Sequence, residues 1–105
     1  MKLNVGERLI LASILPEKGN FETMDTIEKL KTTLFLSEEE VEKYEFKQAG
    51  ERITWNKEGS EPIEIEFSTK GKALLLKTLE TLDEKEDLNA QSFLVYKKFK
   101  EEDKE

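Results

Sequence analysis

The chain of 105 residues contains no histidine and no cysteine. The absence of cysteine excludes disulfides, thiol nucleophiles and thiolate metal ligands. The absence of histidine excludes the side chain that most often acts as a general base or binds a transition metal. Catalysis would have to depend on Asp, Glu, Lys, Tyr, Ser or Thr. The sequence therefore predicts a protein that is not an enzyme and that uses no cofactor and no metal.

Glycine, proline and long apolar stretches are also scarce. Gly50, Gly59 and Gly71 are isolated, and none belongs to a glycine-rich phosphate-binding loop. The apolar stretch near the N-terminus, residues 9–15, is too short for a membrane span or a signal peptide. Because no disulfide framework points to secretion either, we expect a cytoplasmic protein that does not associate with membranes.

Positive charge is in deficit, since 17 lysines and arginines stand against 24 aspartates and glutamates, a net charge of −7. This balance disfavours a phosphate backbone or an anionic membrane, so we do not expect nucleic acid as a partner. The apolar residues cluster with regular spacing between capping residues, which disordered segments lack. We expect one globular domain over residues 1–99 and a charged tail, 100–105, that frays.

The first half of the chain carries helix-start signals. In each, a residue that favours the N-cap position is followed three residues later by a glutamate, as in a capping box. The pairs are Asn4 with Glu7, Asp25 with Glu28, and Ser37 with Glu40. We predict a helix behind each, the first ended by Pro16 and Gly19. Phe21 would lie in the connection and pack on the core, because its apolar surface is costly to leave in water.

The middle of the chain changes to a period of two. Ile53 and Trp55 alternate with polar residues over 52–56, and apolar residues alternate with glutamates over 63–67. With residues 46–48, these segments predict two or three antiparallel strands that bury one face and turn the glutamates outward.

A fourth helix is predicted from Ser68 or Thr69 to about Leu82. Its apolar stripe is too wide for a surface helix, so we expect this helix to lie at the centre of the core. The stripe comprises Ala73, Leu74, Leu75, Leu76, Leu79 and Leu82. The fold class that follows is α+β, with a helical N-terminal half, a small antiparallel sheet and two C-terminal helices.

A last helix is predicted after Asn89, which can cap it. Phe93, Tyr96 and Phe99 recur along this helix at intervals of three residues. Phe99 lies among lysines in the last turn, where a packing partner within the chain is least evident. If the helix projects from the domain, the three aromatic residues would form a contact between two copies of the chain.

The order of three helices, a strand pair and a further helix resembles that of a winged-helix domain over residues 4–82. The resemblance implies that the second and third helices form a helix-turn-helix and that the strand pair is the wing. The second helix of such a unit enters the major groove of DNA. Here it would span residues 37–44, with four glutamates against one lysine, Lys43. The wing would present three cations: Lys47, Arg52 and Lys57.

A second resemblance rests on four segments of the sequence. They are GERLILASILPEKGNF, LSEEEVEKYEF, ITWN and LDEKEDLNAQSFLVYKKF. These segments resemble a group of short proteins that bacteriophages and prophages encode and that carry no assigned function. The resemblance implies a phage or prophage origin and no particular activity.

Acidic residues concentrate in the third predicted helix and in residues 83–87. The second run lacks the ligand spacing and the central glycine of a calcium loop. Acids at helix starts stabilise the helix dipole, but on a rigid scaffold they also steer a basic partner toward the surface. We expect a host or phage protein, or a second copy of the chain, to contact Glu38, Glu39, Glu42, Glu45, Tyr96 and Phe99.

The sequence thus favours a non-enzymatic, acidic protein-binding domain. Two alternatives stay open. One is an inhibitor whose carboxylates imitate the phosphates of DNA and block a host nucleic-acid enzyme. The other is a winged-helix regulator that binds DNA through its wing or as a dimer.

Overall fold

The structure is a computed structural model that describes residues 1–103. In this part of the chain the α-helices are α1 (Val5–Ile14), α2 (Phe21–Leu34), α3 (Glu38–Lys43), α4 (Thr69–Glu84) and α5 (Ala90–Asp103). The strands are β1 (Lys2–Leu3), β2 (Lys47–Ala49), β3 (Arg52–Thr54) and β4 (Ile63–Glu64), and a short 3₁₀ turn covers Lys57–Ser60. The α+β class is confirmed.

Two of the predicted capping boxes are present. The side chain of Asn4 accepts from the backbone N–H of Glu7 at 2.8 Å, and the Glu7 carboxylate accepts from the Asn4 N–H at 3.0 Å. Ser37 and Glu40 make the same reciprocal pair at 3.2 and 3.1 Å. Local hydrogen bonds between a cap and its third neighbour therefore set where α1 and α3 begin.

The predicted start of the second helix is wrong. Asn20, not Asp25, caps α2, accepting from the backbone N–H of Thr23 at 2.8 Å. Phe21 is consequently the first residue of the helix, and it is 90% exposed instead of packed on the core. Leu30, on the core side, lies nine residues or about two and a half turns further along, so helical rotation places Phe21 on the opposite face.

The core forms where α1, α2, α4 and α5 meet. Its fully buried side chains include Leu3, Leu11, Ile27, Leu34, Leu75, Leu79, Val95 and Phe99. α4 is not the central helix that its sequence suggests, because only Gly71, Leu75 and Leu79 along one face are buried. α1 contacts α2, α4, α5, β1 and the 3₁₀ turn, and so occupies the centre.

The strands form two separate antiparallel pairs instead of one small sheet. β4 pairs with β1, a strand that the sequence did not reveal, with Leu3 opposite Ile63. The expected alternation after β4 is confirmed, since Ile65 is buried while Glu64 and Glu66 are exposed. The β2–β3 hairpin has no buried face, because all six of its strand residues are exposed, Ile53 included.

Polar and aromatic contacts fix the base of this hairpin. Asn56 donates its backbone N–H to the Tyr44 carbonyl at 2.7 Å and its side-chain amide to the Lys43 carbonyl at 2.9 Å. The half-buried indole of Trp55 donates to Ser60 Oγ at 3.2 Å and lies against Gly59. A Cβ at Gly59 would be 2.7 Å from that ring, so the close approach requires glycine.

The C-terminal helix continues beyond residue 99. Residues 100–103 of the expected tail belong to α5, and residues 104 and 105 lie outside the described part of the chain. The Lys100 ammonium is 4.7 Å from the centre of the Tyr96 ring, a cation–π contact. Among the described residues, no helix combines the length and the apolar character that a membrane crossing requires.

Each of the helices α3 and α4 is followed, two residues after its last residue, by a glutamate with a left-handed backbone. After α4, Glu86 has φ 59°, its N–H donates to the Asp83 carbonyl at 3.0 Å, and the next N–H donates to the Leu82 carbonyl at 2.8 Å. Glu45 occupies the same position after α3, with φ 50°. This is the Schellman arrangement, in which glycine is favoured because a Cβ strains the left-handed conformation.

Glu86→Gly should therefore raise the free energy of unfolding by about 0.5–1 kcal/mol, because the relieved strain exceeds the added freedom of the unfolded chain. Urea denaturation measures this change. The matched control is Glu84→Gly, inside the last turn of α4, which should destabilise by about 1 kcal/mol. A Glu86→Gly variant less stable than the wild type would contradict the assignment of strain.

Candidate functional site

The placement of α3 depends on a buried arginine of α1. Arg8 is only 3% exposed. Its Nε donates to the Leu34 carbonyl at 3.0 Å and its Nη2 to the Phe35 carbonyl at 3.1 Å, so it satisfies acceptors at the C-terminal end of α2. Its Nη1 and Nη2 donate to the two carboxylate oxygens of Glu40 at 2.7 and 3.3 Å. One guanidinium thus joins α1, the end of α2 and the start of α3.

The other end of α3 is fixed by backbone hydrogen bonds. The Phe46 N–H donates to the Val41 carbonyl at 3.0 Å, and the Glu45 N–H donates to the Glu42 carbonyl at 3.2 Å. Tyr44, directly after the helix, is buried. The Asn56 amide also donates to the Glu45 carboxylate at 3.2 Å. α3 is therefore held at both ends, although no side chain of the helix itself is buried.

The chain exposes acidic and apolar side chains on α3 and at its two ends, and this set is here named the α3 surface. Its members are Phe35, Glu38, Glu39, Val41, Glu42 and Glu45, all of which are exposed. Within the described part of the chain, Glu38, Glu39 and Glu42 make no salt bridge. The structure thus brings together the four glutamates that the sequence singled out. It adds two exposed apolar side chains that the sequence reasoning did not select.

The two aromatic residues predicted to contact a partner lie in the core instead. Tyr96 is buried, and Phe99 is fully buried with its ring centre 6.4 Å from that of Phe67. An interval of three residues drifts around a helix, whereas the buried face of α5 follows the pattern of three and four residues that a helix requires. That face comprises Ser92, Val95, Tyr96 and Phe99. Phe93 consequently points outward.

A second region with charged groups is a groove of about 380 Å³ between α2 and the start of α4. Lys70 Nζ donates to Glu22 Oε1 across it at 2.9 Å. This hydrogen bond, with the attraction between the charges, lowers the pKa of Glu22 and raises the pKa of Lys70. Both side chains are exposed, so the pair has the features of a surface ion pair and not of a catalytic acid and base.

Among the described residues, no group of three or more acidic side chains is placed to hold a metal ion. Comparisons with protein-family models, with curated proteins and with solved structures give no match. The α3 surface and the contacts that hold α3 in place are therefore the features that bear on function.

The pair between Arg8 and Glu40 makes the stability of the fold depend on pH. Hydrogen bonds from the guanidinium lower the pKa of Glu40 below its ordinary value of 4.5, against the opposing effect of partial burial. A carboxyl group whose pKa is lower in the folded state stabilises the fold above its unfolded pKa. This contribution is lost as the pH falls through the folded pKa.

At neutral pH, Glu40→Gln should reduce the free energy of unfolding by about 2 kcal/mol, less than for a fully buried pair because Glu40 retains contact with solvent. The difference from wild type should be full above about pH 4.5 and shrink at lower pH, as measured by denaturant unfolding. Glu39→Gln, an exposed neighbour, should change stability by less than about 0.5 kcal/mol. A Glu40→Gln effect that stays constant into acid would contradict this account.

Proposed function

We propose that this chain is a non-enzymatic protein-binding domain whose α3 surface binds a partner with basic and apolar groups. The observation behind the proposal is the way in which α3 is held in place. A helix that buries none of its side chains is nonetheless fixed at both ends, by Arg8 and by the hydrogen bonds around Glu45. Core packing does not explain such a helix, whereas display of its outer face does.

The composition of the α3 surface suits protein recognition. Phe35 and Val41 offer apolar contacts, and the surrounding carboxylates favour the approach of a basic partner. Because the helix is already held in place, little conformational freedom is lost on binding. A partner of this kind fits the phage or prophage origin and the cytoplasmic location that we infer from the sequence, and both belong to the same proposal.

Direct binding of DNA by α3 has less support. The helix has six residues, and its one cation, Lys43, lies with its ammonium 5.7 Å from the centre of the Tyr44 ring. The glutamates would face the phosphates and repel them. On the hairpin, the register places Lys47 and Arg52 on one face, which is a small patch for a nucleic-acid interface.

The DNA-mimicking inhibitor is a second candidate, favoured by the free carboxylates on a fixed support. In that case the partner would be a nucleic-acid enzyme with a basic cleft. Duplex DNA would then compete with the chain for that cleft, whereas a partner held through Phe35 and Val41 would resist such competition.

The absence of catalysis is part of the proposal. Among the described residues, the groups with clearly shifted pKa values are Glu22, Glu40 and Lys70, and each belongs to an ion pair. Covalent catalysis requires a nucleophile next to a base within a cavity. The described part of the chain contains no such arrangement beside these ion pairs.

Capture of proteins from a bacterial lysate that also contains the untagged chain tests the proposal. The test variant is Glu38→Gln/Glu39→Gln/Glu42→Gln, and the matched control, Asp83→Asn/Glu84→Gln/Asp87→Asn, loses the same number of charges elsewhere. We expect at least one protein, the untagged chain included, to be retained by wild type and control. Its recovery should fall about tenfold or more with the α3 variant, because contact charges steer and hold the partner.

Quantitative mass spectrometry of the eluates gives this ratio, and circular dichroism verifies that both variants stay folded. If every captured protein were retained equally by the two variants, the α3 surface would not be a binding surface. Release of the captured protein by duplex DNA would favour the DNA-mimicking inhibitor.

A further inference from the structure

A second exposed apolar patch lies on α5, and its charge is opposite to that of the α3 surface. Phe93 is 53% exposed and Leu94 is 61% exposed. Lys97 and Lys100 follow them within two turns on the outer side of the helix and are also exposed. These four residues are here named the α5 surface.

The contrast between the two segments is marked in a chain of net charge −7. Residues 90–100 contain three lysines and no acidic residue, and the acidic residues of α5 follow in its last turn at 101–103, whereas residues 35–46 contain five glutamates and one lysine. Lys98 is engaged within the chain, where it donates to both carboxylate oxygens of Glu7 at 3.1 and 3.0 Å. Lys97 and Lys100 are the exposed lysines of α5, and the ammonium of Lys100 lies 4.7 Å from the centre of the Tyr96 ring.

We propose that the basic and apolar partner of the α3 surface is the α5 surface of a second copy of the chain. This inference rests on the proposed function and names its partner. Phe93 and Leu94 of one copy would cover Phe35 and Val41 of the other. Around them, the two lysines would meet the four glutamates of the α3 surface, which gives complementary charge around an apolar centre.

A two-fold arrangement would form this contact twice, since each copy offers both surfaces. The net charge of −7 disfavours orientations in which acidic surfaces of two copies meet. The complementarity therefore specifies which faces meet. It replaces the contact through Tyr96 and Phe99 that the sequence suggested, because those side chains are buried.

Charge reversal tests the pairing with the full chain. One variant is Glu38→Lys/Glu42→Lys, and the other is Lys97→Glu/Lys100→Glu. In a homodimer of either variant, the substituted residues face like charges at both contacts. In a mixture of the two, both contacts join opposite charges again, as they also do in a chain with all four substitutions.

Sedimentation velocity at moderate salt measures the dimer dissociation constant. We expect each variant alone to weaken dimerisation at least about tenfold. The equimolar mixture and the chain with four substitutions should return to within about threefold of wild type. Controls of the same charge change away from both surfaces, Asp83→Lys/Glu84→Lys and Lys77→Glu/Lys85→Glu, should dimerise like wild type.

Several results would overturn the inference: a wild-type chain that stays monomeric, variants that dimerise normally, or a mixture that fails to recover. Growth into larger species in place of a dimer would exclude the two-fold arrangement. A monomeric chain that still captures another protein through α3 would leave the proposed function intact and remove only this partner. If neither the chain nor another protein depends on α3, the proposed function fails as well.

Discussion

The guanidinium of Arg8 is the interaction on which the arrangement of the N-terminal helices depends. It is buried with its charge, which would be strongly unfavourable if it were unpaired. Two carbonyls at the end of α2 and the Glu40 carboxylate at the start of α3 supply acceptors for it. Because those groups come from consecutive helices, satisfying the arginine fixes how the chain turns from α2 into α3. Without it, no side chain of α3 itself would be anchored to the other helices.

The glutamates of both capping boxes make tertiary contacts as well as local ones. Glu40 caps its own helix and pairs with Arg8, and Glu7 caps α1 while its carboxylate accepts from Lys98 on α5. Each glutamate thus defines where a helix begins and also what the beginning is attached to. This double use allows a chain with a modest apolar fraction to position its helices without leaving polar groups unsatisfied. Among the described residues, every buried side-chain N or O atom has a hydrogen-bond partner.

The sequence predicted most features that depend on neighbours in the chain, the cap of α2 at Asn20 excepted, and missed those that depend on distant contacts. The caps at Asn4, Ser37 and Asn89 are confirmed because their hydrogen bonds span three residues. The partner of β4 was missed because β1 has two residues and lies about sixty positions away. The composition indicated the acidic residues of the α3 surface, but it did not indicate the contacts that hold α3 in place. The signal for that support was Arg8 itself, a charged residue in helical phase with Val5 and Leu11, which are both buried.

The segment between α2 and the strand β4 has a further consequence for how this protein can change over generations. Among residues 35–62, Tyr44 and Gly59 are the ones that are buried, so the four-helix core places little demand on the rest of the segment. Provided that Glu40, Tyr44 and Asn56 keep their contacts, the outward side chains of α3 and of the hairpin can be exchanged at little cost to the fold. Selection can therefore change the proposed binding surface on this segment while the four-helix core is inherited unchanged.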